Sequence, residues 1–251
     1  TARPVLQTGS GDYALSGGSD AIYFDGTSDY ITVPYHEGLE FGTGDFTIEF
    51  WMKVPDNTPG SSGLVCNIMG TGGEVGGSPA DISGWGLMQH NNGRFYFTAS
   101  ASPNTPYAYL YDAIGYPNYS PNDWTHVVVQ RESTLNAISW TSLYLNGVCT
   151  ASNETFTFAI GKGGAQNGDL TIGREERDND RYFIGYLDEI RLSKMARYTG
   201  QGLIDSDYPN PGTEFGIQTE GSTYRDQDIQ VTANTTYQRY NYQHGKGISF
   251  S

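Results

Sequence analysis

Three carboxylates stand where strands meet turns. Asp25 and Asp29 flank Gly26-Thr27-Ser28, and Asp188 lies in the segment Gly185-Tyr186-Leu187-Asp188-Glu189-Ile190-Arg191-Leu192. A hard cation such as calcium takes about six to eight oxygens, and carboxylates with backbone carbonyls near Gly26 are donors of that kind. The same residues have a purely structural use. Asp25 and Asp29 can cap their turn through its amides, and Asp188 can cap or pair with Arg191.

A second chemistry is aromatic. Trp85 follows the Gly-rich stretch 70–84, and Tyr107, Tyr109, Tyr111, Tyr116 and Tyr119 crowd the stretch 101–121, which reads as a long Pro- and Tyr-rich loop. Asn104, Asp112 and Asn118 are interspersed. Aromatic faces stack on the CH groups of pyranose rings while Asn and Asp read the hydroxyls. Tyr-rich loops serve protein contact equally well, because Tyr brings large area at low entropy cost. The residues alone leave both uses open.

Catalytic patterns are missing. Glu49 is alone on its strand, Asp188 and Glu189 are neighbours that alternate to opposite faces, and no Glu-x-Asp-x-x-Glu run exists. His126 sits in an apolar strand and reads as structural, and no nucleophile elbow, phosphate loop or dinucleotide fingerprint is present. The charged run Arg174-Glu175-Glu176-Arg177-Asp178-Asn179-Asp180 reads first as self-paired and only second as an ion site. The sequence therefore points away from an enzyme.

The elements that must position these groups are strands. Of 251 residues, 33 are Gly and 19 Tyr, with only 14 Lys plus Arg, which suits short strands joined by Gly turns rather than helices. Phe46-Thr47-Ile48-Glu49-Phe50-Trp51-Met52-Lys53-Val54 alternates strictly. Asn91-Asn92-Gly93 and Asn146-Gly147 are hairpin turns, and a short helical turn is expected over Ser193 to Arg197. About twelve strands at this spacing make a two-sheet sandwich. A net charge of −14 repels nucleic-acid backbones. No apolar run is long enough to cross a membrane as a helix. Cys66 and Cys149 allow one bridge at most and read better as two thiols.

Four segments carry a family resemblance: Phe24 to Pro34, Gly44 to Trp51, Trp124 to Val129, and Gly185 to Leu192. They resemble the laminin-G-like, concanavalin A-like lectin domain over residues 20–200. The resemblance implies an all-β, two-sheet antiparallel jelly-roll sandwich in which the first and last of these segments share a sheet. It also implies a structural calcium where those strands meet, through Asp25, Gly26, Asp29 and Asp188, and sugar contact through the aromatic loops. The ending Asp188-Glu189-Ile190-Arg191-x-Ser193-x-x-Ala196-Arg197-Tyr198-Thr199 is similar to laminin-G-like domains of bacteriophage virion proteins. That similarity implies a non-enzymatic protein at the virion surface, a capsid decoration or tail-fibre component, with host glycans and neighbouring virion subunits as partners. A secreted or cell-surface carbohydrate-binding module of a larger bacterial protein is the alternative.

Residues 1–19 read as an extended arm. Residues 201–251 form a polar, Tyr-rich extension, too poor in aliphatics to fold alone. They are expected to add strands to the sandwich or to dock on a neighbouring subunit, in an oligomer or a larger assembly.

Overall fold

Alternation in Phe46–Lys53 builds the centre of the molecule. Phe46, Ile48, Phe50 and Met52 point into one core and are at most 1% exposed. In the computed structural model this strand, β4, sits in the middle of a sheet. The structure describes residues 5–7, 21–55, 65–72, 84–90, 93–101, 107–111, 121–133, 139–153, 157–162, 168–175, 181–198 and 229–231.

The remaining strands in chain order are β1 (Val5–Gln7), β2 (Ala21–Asp25), β3 (Ile31–Val33), β5 (Val65–Gly70), β6 (Gly84–His90), β7 (Phe95–Ser100) and β8 (Tyr107–Tyr111). They continue with β9 (Thr125–Ser133), β10 (Ser139–Leu145), β11 (Val148–Asn153), β12 (Leu170–Ile172), β13 (Ile184–Ser193) and β14 (Ile229–Val231). The first sheet runs β1-β2-β13-β4-β9-β10-β11, with β14 also on β13. The second runs β3-β12-β5-β6-β7-β8. Every pairing is antiparallel. This is the two-sheet jelly-roll sandwich that the sequence implies.

The core lies between the sheets. Phe41 stacks on Phe46 at 4.3 Å between ring centroids, Trp85 lies against Phe41 at 5.5 Å, and Phe24 meets Phe183 edge-on at 5.9 Å. Offset and edge-on pairs of this kind add to the area they bury. Arg131, 1% exposed, closes one end of the core. Its guanidinium donates to the carbonyls of Gly42, Gly44 and Phe158 and lies 5.2 Å from the Phe46 ring. Burial lowers it to about 10.

The Asn146-Gly147 turn forms as expected, and of the other expected turn Gly93 alone lies within the described residues. Asn146 (φ 50°) and Gly147 (φ 89°) join β10 to β11, and Gly93 (φ 78°) lies in the turn between β6 and β7. A left-handed pair matches the twist of the strands it joins.

Four expectations change. The stretch Phe24 to Pro34 is split between sheets: β2 joins the first beside β13, whereas β3 pairs with β12 in the second. The loop 101–121 contains strand β8. The residues after Ser193 form bends rather than a helical turn, because they fold back over the outer face of β4 and β9. Finally, alternation on β4 does not separate buried from exposed. Thr47, Glu49 and Trp51, on the outer side, are also buried.

Strands from both ends of the chain extend the first sheet. β1 pairs with β2 at Val5↔Tyr23, and β14 pairs with β13 at Arg191↔Gln230. The rest of the two expected arms lies outside the described residues. Among those residues, no helix is long and apolar enough to cross a membrane. Cys66 and Cys149 are both free thiols.

Candidate functional site: an aromatic row on the outer edge of the second sheet

Strand β8 is short, and its alternation sets its chemistry. Ala108 and Leu110 face the core at 5% and 3% exposure, while Tyr109 and Tyr111 face out at 50% and 42%. The register Tyr96↔Tyr111 and Thr98↔Tyr109 fixes them beside β7. Tyr111 stacks on Tyr96 with centroids 5.8 Å apart, and Tyr109 stacks on Tyr111 at 5.9 Å. His90, at the end of β6, continues the row 6.0 Å from Tyr96. The result is a row of four rings across three strands, most exposed at the sheet edge. Strands hold it, so it needs no ordering to present its rings.

The sequence-derived contact set divides around this row. Tyr109 and Tyr111 belong to it. Tyr107 occupies β8 opposite Ser100. Asp112, Tyr116, Asn118 and Tyr119 lie outside the described residues, as does Asn104. Trp85 is a correction. It is fully buried against Phe41 and Phe97, and its indole N–H points at the Leu39 carbonyl at 3.5 Å. Its place on β6 turns it inward, so it packs the core and touches no ligand. Tyr96 and His90 were missed, because each is separated in sequence from the tyrosine cluster that pairing brings to it.

The carboxylates expected to share calcium are not gathered. Asp25 Oδ1 accepts the amides of Thr27, Ser28 and Asp29, and Oδ2 accepts the hydroxyls of Thr27 and Ser28. Burial pushes this carboxyl up, but those donors outweigh it and hold it well below the usual carboxylate range. Asp29 turns back to accept the Asp25 amide, and burial with the Asp25 charge raises it. Gly26 supplies the turn's positive φ of 74°, where a Cβ would meet Ile184 at 2.8 Å. Asp188 is elsewhere. β13 meets Asp25 at Ile184, four residues from Asp188, or about 13 Å along a strand. Asp188 accepts the Glu189 amide at a bulge opposite Trp51. Among the described residues no group of three or more metal-ligating side chains occurs. The capping use of Asp25, Gly26 and Asp29 is what the geometry supports, and the four residues do not fit one calcium ion.

Arg191 reaches across to β4. It forks onto Glu49, with its Nε and Nη2 each 2.6 Å from Oε1. Arg197 Nε lies 3.2 Å from the same oxygen, His126 Nε2 lies 3.5 Å from Oε2, and Tyr198 donates its hydroxyl to Oε2. Burial pushes the Glu49 carboxyl up, yet the His126 hydrogen bond, the Arg191 charge and the Tyr198 hydrogen bond bring it below its usual value. Burial and the Glu49 charge raise the Tyr198 phenol. Glu49 is thus the centre of a network that ties the segment after β13 down onto the sheet. Arg191, Arg197 and Tyr198 all lie in the family-like ending Asp188 to Thr199, whose convergence on Glu49 only the fold shows. The two described residues of the charged run at 174 find partners outside it: Glu175 lies 2.9 Å from Arg181, and Arg174 stacks 3.6 Å over Tyr30. Residues 176–180 of that run lie outside the described residues.

Comparison with solved structures finds the following similarities. The chain is similar to the binding domain of Paraclostridial Mosquitocidal Protein 1, with TM-score 0.50 and 19% identity over 77% of this chain and 44% of that one. It is also similar to the CBM40 of the Ruminococcus gnavus IT-sialidase, with TM-score 0.46 and 13% identity over 62% of this chain and 79% of that one. A third is the binding domain of Botulinum Neurotoxin DC in complex with SialylT, with TM-score 0.44 and 14% identity over 77% and 43%. The chain spans less than half the length of the first of these. No curated protein sequence matches it. The Laminin_G_3 profile matches residues 25–201, and the chain belongs to that family of the concanavalin A-like lectin/glucanases superfamily.

Proposed function

We propose that the sandwich is a non-enzymatic glycan-contacting module, and that the ring row His90–Tyr96–Tyr111–Tyr109 is its contact surface. The observation that carries this reading is the half-exposure of Tyr109 and Tyr111 on strand-held, stacked positions. Soluble proteins bury or scatter their aromatic side chains, and an ordered exposed row marks a contact surface. Sugar CH faces are the ligand chemistry such rings receive. The superfamily description names lectins and glucanases, and both act on glycans. Between the two, the interior of this chain favours binding. Glu49 is fully buried, forked by Arg191 and held by Tyr198, so it has neither the access nor the proton a glycosidic acid needs.

The setting we propose is the surface of a bacteriophage virion. The ending Asp188 to Thr199 supports it through its likeness to virion laminin-G-like domains. Partners in that setting are host-surface glycans for the ring row and other virion subunits for the terminal segments.

A glycan array probed with the protein and with Tyr109→Ala/Tyr111→Ala tests the contact surface. Binding that the double variant loses, with an unchanged melting temperature, is the expected result. Binding that survives the double substitution would overturn the assignment of this row.

A further inference from the structure

We infer a second sugar-contacting row on the opposite sheet, selective for acidic glycans. Its residues are Tyr23 on β2, Tyr186 on β13, Lys53 on β4 and Trp124 just before β9. Register places them side by side: Tyr186 is opposite Tyr23 on one flank and opposite Lys53 on the other. Met52 pairs with Thr125, which brings Trp124 to the level of Lys53. The rings touch in sequence, Tyr23 to Tyr186 at 5.0 Å and Tyr186 to Trp124 at 6.4 Å between centroids.

All four side chains are partly buried, less exposed than Tyr109, whereas their sequence neighbours Phe24, Leu187, Met52 and Thr125 are at most 1% exposed. The row therefore stands on the outer face of the first sheet, away from the core and away from Tyr109. Each centroid step is of the order of one pyranose residue along an extended chain.

Lys53 decides the ligand class. A row of rings alone accepts any sugar with an open CH face. Here a cation stands among the rings, opposite Tyr186. An ammonium carries three donors, so a carboxylate can join whatever contact Lys53 already makes. A uronate-type sugar offers what the row lacks: a ring face for Tyr186 and Trp124, and a carboxylate for Lys53. A sandwich with two such faces would bridge two glycan chains. The inference shares the sugar-stacking chemistry of the proposed function but rests on separate residues.

The probes are trigalacturonate and its methyl ester, titrated by calorimetry and by chemical-shift perturbation. The expected result is that the acid binds and the ester binds about tenfold more weakly, as for loss of one charge-assisted hydrogen bond. Lys53→Gln should reduce acid binding to the level of the ester. Trp124→Ala should abolish both, while Tyr109→Ala/Tyr111→Ala changes neither. Equal binding of acid and ester, no binding of either, or loss of binding in the Tyr109/Tyr111 variant alone would overturn the second row. The last outcome would leave the first row standing. Lys53→Gln removes no core contact, so the test does not depend on a variant that fails to fold.

Discussion

Removing Glu49 should be among the most damaging single substitutions in this chain. Glu49→Ala leaves the guanidinium of Arg191, a residue only 5% exposed, without its carboxylate. It also deprives Arg197 and the Tyr198 hydroxyl of their shared acceptor. Breaking a buried pair by deleting one partner costs about 3–5 kcal/mol. In a domain of this size that lowers the melting temperature by about 10 °C. Urea denaturation of the wild type, Glu49→Ala, Arg191→Met and the double variant measures it. The double variant should cost less than the sum of the two, with a coupling above about 1 kcal/mol, because it no longer leaves the buried Arg191 charge orphaned. The dependence on pH has a definite sign. The folded carboxyl lies below its ordinary value of 4.5. Its contribution is therefore full above pH 4.5 and is lost as pH falls below it, so the gap between wild type and Glu49→Ala should narrow in acid. Additivity of the two single substitutions within about 0.5 kcal/mol, or a gap that widens in acid, would refute the network.

Two further outcomes follow from the same geometry. EDTA should leave the melting temperature unchanged, because the oxygens of Asp25 are occupied by turn donors and Asp188 lies apart; a drop of several degrees would show a bound cation whose loss costs stability by mass action. Gly173→Ala should destabilise severely or prevent folding, since its φ is 89° and a Cβ there would lie 2.4 Å from Phe24 in the core; near-native denaturation would show that this contact relaxes freely.

What the sequence made legible was local or periodic. The alternation in Phe46–Lys53 named its core side, and Asn146-Gly147 named its turn, because a two-residue period and a left-handed dipeptide are decided by neighbours. The same alternation misled at Thr47, Glu49 and Trp51. Thr47 and Glu49 are covered by residues 195–198, about 148 positions later, and Trp51 lies against His126 of β9; nothing near β4 announces either. Trp85 looked like a ligand platform because it borders a long Gly-rich stretch. Its side is set by pairing with Ala99 on β7, which a loop reading cannot see. The tyrosines of 107–111 were noticed as chemistry but not as a strand, since the surrounding prolines hid a five-residue alternation. Tyr96 and His90 entered the site only through register. The carboxylates of Asp25 and Asp29 were assigned both of their uses, and the amides of their own turn decide between them.

The place of β13 between β2 and β4 bears on how the chain reaches this state. A late strand of the sandwich is not an edge but a wedge, hydrogen-bonded to a strand about 160 residues earlier. Until Ile184–Ser193 has emerged from the ribosome, β2 has no partner on that side and β4 presents an open edge. Such edges invite pairing with other chains. The closing contacts are also of long range, which slows folding. A nascent chain of this protein is therefore most vulnerable to aggregation late in synthesis, and a truncation ending before Ile184 should accumulate as insoluble material, not as a smaller sandwich.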